Sequence, residues 1–157
     1  MENQFLPNVA VSKVKGGKQY PNIYGEVYFE DVPEGVMVYV YISGLPDYKP
    51  GNPQIGPHGF HIHEYEDCTE GEESSPFLAA GEHWNPTNQP HGNHPGDFPV
   101  LFSNNGVAYM SFFTNKFTVD QIISKSIIIH ENPDDYQSQP AGNAGKRIAC
   151  GIIKPMF

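Results

Sequence analysis

The sequence predicts an all-β fold, an antiparallel barrel or sandwich of about eight short strands held around two long loops. Three observations point there. Gly (16) and Pro (15) are abundant in a chain of 157 residues and break it into short pieces joined by turns. Apolar and β-branched residues gather in short runs of strand length. No long amphipathic helix competes with them.

The strands follow in order. Residues 9–14, Val9-Ala10-Val11-Ser12-Lys13-Val14, end at Gly16-Gly17, and residues 23–30 end at the turn around Pro33-Glu34-Gly35. Residues 36–42 are an unbroken β-branched and aromatic run. After a Pro/Gly-rich loop comes a short strand at 59–64. Residues 65–99 have almost no periodicity, and a loop of that length with clustered His and Asp reads as functional. Residues 100–102 and 107–114 are strands joined by Asn104-Asn105-Gly106, a hairpin signal. Residues 117–123 suit a helical turn. Residues 127–130 and 148–153 are the last two strands, with a second polar loop at 131–146.

Length and composition set the limits. Apolar residues at 38% and charged residues at 17% describe an ordinary globular chain, and residues 1–157 are read as one domain. A net charge of −9 argues against nucleic acid or an anionic membrane as partner. No apolar run reaches the length of a membrane span. The start, Met1-Glu2-Asn3-Gln4-Phe5-Leu6-Pro7, lacks the pattern of a signal peptide, so a cytoplasmic protein is expected, with a secreted mature form as the alternative. Two cysteines permit one bridge and no zinc-thiolate cluster.

The histidines carry the chemistry. His61 and His63 sit at i and i+2 of a strand, so both imidazoles project from one face and can meet at one ion. The loop that follows adds His83, His91, His94 and Asp97, and imidazoles with one carboxylate suit tetrahedral zinc. Stray loop histidines are the competing reading. Five of seven histidines between residues 61 and 94 favour metal.

Six motifs in sequence order extend this pattern: Gly59-Phe60-His61-Ile62-His63-Glu64, Gly81-Glu82-His83-Trp84-Asn85-Pro86, His91-Gly92, His94-Pro95-Gly96-Asp97, Ile129-His130-Glu131 and Gly142-Asn143-Ala144-Gly145-Lys146-Arg147-Ile148-Ala149-Cys150-Gly151. Over residues 25–153 the chain resembles the copper/zinc superoxide dismutases. The resemblance implies an eight-stranded Greek-key barrel, copper ligated by His61, His63, His83 and His130, and zinc ligated by His83, His91, His94 and Asp97. It makes His83 a bridge between the ions, a position in which an imidazole loses and regains its second proton readily. It implies that Asp134 links a copper histidine to a zinc histidine and fixes their tautomers. It pairs Cys68 with Cys150, the other reading being two reduced thiols. It makes Arg147 the residue that attracts superoxide, although an arginine there can also tie down loop carbonyls. His58 matches no ligand and reads as an ordinary loop histidine, and Trp84 as a packing residue.

The chain departs from the resemblance in three places. The segment between Cys68 and His83 is long and carries Glu70, Glu72 and Glu73. The stretch between His91 and His94 is short, which compresses the zinc half. The loop 135–144 lacks the charges of the family's steering set, which leaves substrate capture to Arg147 and Lys146. The implied reaction converts superoxide to dioxygen and hydrogen peroxide through copper cycling. A copper-only enzyme, a metal-buffering protein without turnover and a zinc hydrolase are the rivals. The apolar tail from Ile152 to Phe157 offers an interface for a homodimer.

Overall fold

Alternation along each strand decides which face is buried, and the computed structural model, which describes residues 7–157, follows it closely. In β1 (Val9–Gly16) the inward residues are Ala10, Ser12 and Val14, with Lys13 and Lys15 outside. In β2 (Tyr24–Val32), Val27 and Phe29 enter the core; in β3 (Gly35–Ser43), Val36, Val38, Val40 and Ile42 do so. β4 (Phe60–His63) and β6 (Ser126–His130) are buried on both faces, as the strands nearest the histidines. Between them in sequence lie β5 (Ala108–Thr114) and one short helix, α1 (Val119–Ile122). The chain closes with β7 (Arg147–Pro155).

All strand pairs are antiparallel, and they form one sheet in the order β4-β6-β7-β1-β2-β3-β5. Phe29, Phe98, Phe117 and Trp84 join the aliphatic side chains of the strands in the main core. A smaller cluster of Phe77, Ala80, Ile128, Cys150 and Cys68 lies under the disulfide loop.

The sheet has seven strands among the described residues, one fewer than expected. The Asn104-Asn105-Gly106 turn is present, with Asn105 and Gly106 both at positive φ (51° and 87°) and Asn104 bridged to Val107. Its incoming arm, residues 100–102, is not a strand beside β5. Leu101 instead exchanges both backbone hydrogen bonds with His58, at 2.8 and 2.9 Å. Pro99 explains part of this, because a residue without an N–H cannot continue a ladder. Among the described residues, no helix is long and apolar enough to cross a membrane.

Candidate metal centre

The site is built on the free edge of β4. His61 and His63 share one face of that strand, while Phe60 and Ile62 point into the core. Two loop segments lie along the edge: Asp97 bridges His61, and His83 bridges His63. Backbone pairing therefore delivers two of the predicted residues beside the strand histidines. On the other side of β4, β6 ends at His130, where a register shift between Ile129 and His130 re-aims the strand.

His61, His63, His83 and His130 present ring nitrogens that all lie within 4.8 Å of one another, and all four residues are buried. The nitrogen facing that cluster has no hydrogen-bond partner in any of them: Nδ1 of His61 and Nε2 of His63, His83 and His130. A buried polar atom without a partner is costly. Four at one point fit a cation that accepts all four lone pairs.

The opposite nitrogens of three of these rings are tied down. His63 Nδ1–H donates to the Gly81 carbonyl at 2.9 Å, and His130 Nδ1–H to the Gly145 carbonyl at 3.2 Å. His61 Nε2–H donates to Asp134 Oδ2 at 2.6 Å. Each bond selects the tautomer that leaves a lone pair toward the cluster.

A second group forms around Asp97. Nδ1 of His83 lies 3.3 Å from Asp97 Oδ1, and Nδ1 of His91 and of His94 each lie 3.3 Å from Asp97 Oδ2. Nδ1 of His83 and His94 are also 3.3 Å apart. Nδ1 of His83, Nδ1 of His94 and Oδ1 of Asp97 thus stand 3.3 Å from one another, the edge of a tetrahedron with arms of about 2.0 Å as zinc prefers, while His91 approaches the carboxylate at its other oxygen. His61 also lies within 4.8 Å of His83, His91 and Asp97, but its Nε2 is held by Asp134. His83 is the ring shared between the groups, with Nδ1 on one side and Nε2 on the other.

The short 91–97 loop closes on its own carboxylate. Asp97 Oδ2 accepts from the N–H groups of Gly92 and His94, at 2.8 and 3.0 Å. Asp134 then joins the halves, accepting from His61 on Oδ2 and from His91 Nε2–H on Oδ1 at 2.8 Å. The backbone N–H of Tyr136 also donates to Oδ1, at 2.7 Å. Gly142, at φ 71°, packs so near that a Cβ there would overlap Asp134 Oδ1 and reach within 2.5 Å of His91 Nε2.

Burial pushes His61 and His63 well below the usual histidine range, helped by the charges of His130 and His83, and pulls His130 down to about 3. His94 is lowered chiefly by burial. For Asp97, burial acts upward, but the hydrogen bond from His83 and the charges of His91 and His94 outweigh it and hold the carboxyl well below its ordinary value. Neutral imidazoles beside an ionised carboxylate are the protonation states that metal binding requires.

His63, His83 and His130 form the floor of a cavity of about 200 Å³, with Glu82, Arg147 and residues of the 139–145 loop around it. Arg147 is half-buried, and its Nη1 donates to the Phe77 carbonyl at 2.8 Å. Phe77 belongs to the loop fastened by the disulfide between Cys68 and Cys150, whose Cα atoms are 5.7 Å apart. Arg147 thus lines the cavity and ties down a loop carbonyl at once. Lys146 does not share the cavity: it lines a surface hollow with Lys18, Glu70 and Glu73.

His58 is more than a loop residue. It is fully buried, and its Nδ1–H donates to the His130 carbonyl at 2.9 Å, while its backbone pairs with Leu101. The signal was its place two residues before the buried strand. Gln139, also unforeseen, accepts from the His91 N–H at 2.7 Å.

The chain is similar to known proteins. The family model for copper/zinc superoxide dismutase (SODC) matches residues 23–153. A copper–zinc superoxide dismutase of Deinococcus radiodurans is 34% identical over 153 residues, covering 87% of this chain and 80% of its own length. Superoxide dismutase A of Xenopus laevis, also copper–zinc, is 36% identical over 148 residues, covering 84% and 89%. The solved Cu/Zn superoxide dismutase from Brucella abortus superposes with a TM-score of 0.75 at 29% identity, covering 92% of this chain and 98% of that one.

Proposed function

The chain belongs to the copper/zinc superoxide dismutase family, and on that premise we propose which of its residues perform the family's reaction, the conversion of two superoxide anions and two protons to dioxygen and hydrogen peroxide. The observation that carries the assignment is the set of partnerless buried nitrogens around the shared ring of His83. His61 Nδ1 and Nε2 of His63, His83 and His130 would hold copper. Nδ1 of His83, His91 and His94, with Asp97, would hold zinc. Copper supplies the one-electron chemistry, while zinc has no second oxidation state and orders the loop.

The chain's own groups do the rest. Asp134 accepts from His61 and His91 together and so fixes a ring in each half. His83 Nε2 is the atom that gives up and regains a proton. Arg147 offers a permanent charge and a fork of donors to a two-oxygen anion, which a chain of net charge −9 otherwise repels. Its guanidinium is pulled down by burial, with Glu82 opposing, and stays charged throughout the physiological range. Glu82 and Arg147 share the cavity wall, so attraction there is local to the arginine.

Supporting zinc retention is the compact 91–97 loop, which brings the Asp97 carboxylate to 3.3 Å from Nδ1 of His83, His91 and His94. One domain over residues 1–157, a cytoplasmic location and a homodimer complete the reading. Cell fractionation and sedimentation test the last two.

The deciding experiment loads the protein with copper and zinc, measures metal content and follows superoxide decay. One copper and one zinc per chain with rapid decay are expected. Arg147→Ala should keep both metals and lose roughly 10-fold or more in rate, within the range of electrostatic steering. Full copper without turnover overturns the assignment.

A further inference from the structure

We propose that a tyrosine-lined hollow on the outer face of β2, β3 and β5 is a binding site for a small, free quaternary ammonium cation, a trimethylammonium group on a short chain. The site is separate from the metal centre, and its test does not depend on the metal assignment.

The register builds the hollow. Alternation sends Glu26, Tyr28 and Glu30 of β2, Tyr39 and Tyr41 of β3, and Tyr109 and Ser111 of β5 to the outer face. Tyr28 stands opposite Tyr39, Tyr41 opposite Tyr109, and Tyr39 opposite Ser111. Ser111 is small and leaves a gap in this block of rings. There the four tyrosines, with Met110 and Ser111, line a hollow of about 310 Å³. That volume is at the small end of the range for ligand sites, about 300–1,000 Å³.

Its lining is aromatic and negative. The face of an aromatic ring carries negative potential and attracts a cation held within about 6 Å of its centre. Tyr39 is 41% exposed, Tyr41 54% and Tyr109 82%, so these faces are open to a guest. Tyr41 and Tyr109 meet edge to face, ring centroids 6.0 Å apart, and so stand as walls and not as a flat stack. Two carboxylates adjoin the rings. The Tyr28 hydroxyl donates to Glu26 Oε2, and the Tyr39 hydroxyl lies 3.4 Å from Glu30 Oε2. A phenol that donates to a carboxylate is polarised, which deepens the negative potential of its ring.

Charge selects the guest. No lysine or arginine lines this hollow, and Lys13, opposite Glu26 in the register, lines a different one. An anion would meet ring faces and carboxylates with nothing to offset the repulsion. A primary ammonium is compact and strongly hydrated, and its N–H groups lose their water against the rings. A quaternary ammonium has no N–H to satisfy and spreads its charge over methyl groups. It gains both from burying those methyls and from the ring faces. The chain's net charge of −9 adds long-range attraction for any cation. The histidines of the metal centre belong to β4, β6 and their loops, so a guest here leaves them untouched.

The test titrates the full chain, loaded with copper and zinc, in a calorimeter against three probes. These are choline, its neutral carbon analogue with a tert-butyl group in place of the trimethylammonium, and ethanolamine. One choline per chain should bind saturably, about 10-fold or more tighter than either of the other two. Tyr109→Leu removes one wall and should weaken choline by about 10-fold. Glu30→Gln keeps the volume, and should weaken choline several-fold while leaving the neutral analogue unchanged. Metal content and superoxide decay should stay as in the wild type for both variants. Equal binding of choline and the neutral analogue would mean an apolar patch without charge recognition, and overturns the proposal. So does a lack of saturable binding up to about 10 mM choline, or an affinity that neither variant moves.

Discussion

The two edges of the sheet are finished in opposite ways. Along β4, segments from the long 65–99 loop lie against the strand: Gly96 accepts from Ile62 at 3.1 Å, Phe60 accepts from Phe98 at 3.3 Å, and Ile62 accepts from Trp84 at 2.9 Å. Along β5 nothing of the kind occurs among the described residues. The two facts share one cause. Residues 96–101, the stretch able to close the sheet against β5, are drawn to the β4 side, where Asp97 must stand beside His61 and Leu101 beside His58. Metal-site geometry takes the closing strand. Function has been built at one edge by leaving the other open.

The largest expected effect tests how firmly the covered edge depends on its fastening. The bond between Cys68 and Cys150 closes a separation of 82 residues and holds the loop that carries Phe77 and, through it, Arg147. Replacing both cysteines by serine should lower the unfolding free energy by about 4–5 kcal/mol in the chain-entropy model. Denaturant unfolding of the metal-free protein measures it, and an unchanged midpoint would show that the loop is held by packing alone.

Acid is the next lever, and it acts on the same edge. His61, His63 and His130 titrate below the ordinary histidine value because burial disfavours their charged forms. The unfolded chain then binds more protons than the folded one as soon as pH drops below about 6.5. Stability is therefore full above that pH and lost as pH falls, by about 1.4 kcal/mol per pH unit for His130 alone until its folded value is approached. Thermal melts of metal-free protein between pH 7.5 and 4.5 should fall steadily. A flat profile would mean that these rings accept protons in place.

How much of this was legible in the sequence depends on where each residue's partner lies. His61 and His63 were readable from spacing alone, since strand geometry puts i and i+2 on one face. His83, His91, His94 and Asp97 were readable as a cluster, but the pairing of Asp97 with His61 depends on a β-bridge across 36 positions that no local pattern encodes. Strands 9–14, 23–30 and 36–42 came out nearly as read because their alternation is local. The strand expected at 100–102 failed for the converse reason. Its apolar residues and the Asn-Gly turn are strand-like, and only the competition for Leu101 between His58 and β5 decides the outcome. Lys146, adjacent to Arg147 in sequence, lies in the loop just before β7 and lines a different surface.

A subtler change sharpens the metal edge. Asp134→Asn keeps the volume, yet an amide offers one oxygen and one NH2 where the carboxylate accepts from two rings. Whichever ring meets the NH2 must take the other tautomer, which puts a proton on the nitrogen turned to the metal. One metal should bind about 10–100-fold more weakly, the range for such supporting groups. Competition titrations with a chelator will show which, and equal affinities for both metals in variant and wild type would remove Asp134 from its role.

The smallest effect belongs to the open edge. Ser111 is exposed at the centre of β5, and neither backbone nor side chain of the metal loop touches it by hydrogen bond. Ser111→Ala should leave the unfolding free energy of the dilute chain within about 0.5 kcal/mol of wild type, as surface substitutions usually do. Measured by thermal melts at low and high protein concentration, it separates two origins of stability. A shift at low concentration would mean that β5 has a partner within its own chain, and the contrast between the edges would collapse. A melting temperature that rises with concentration in both proteins would instead show that the chain associates with a second molecule, since only association makes stability depend on concentration.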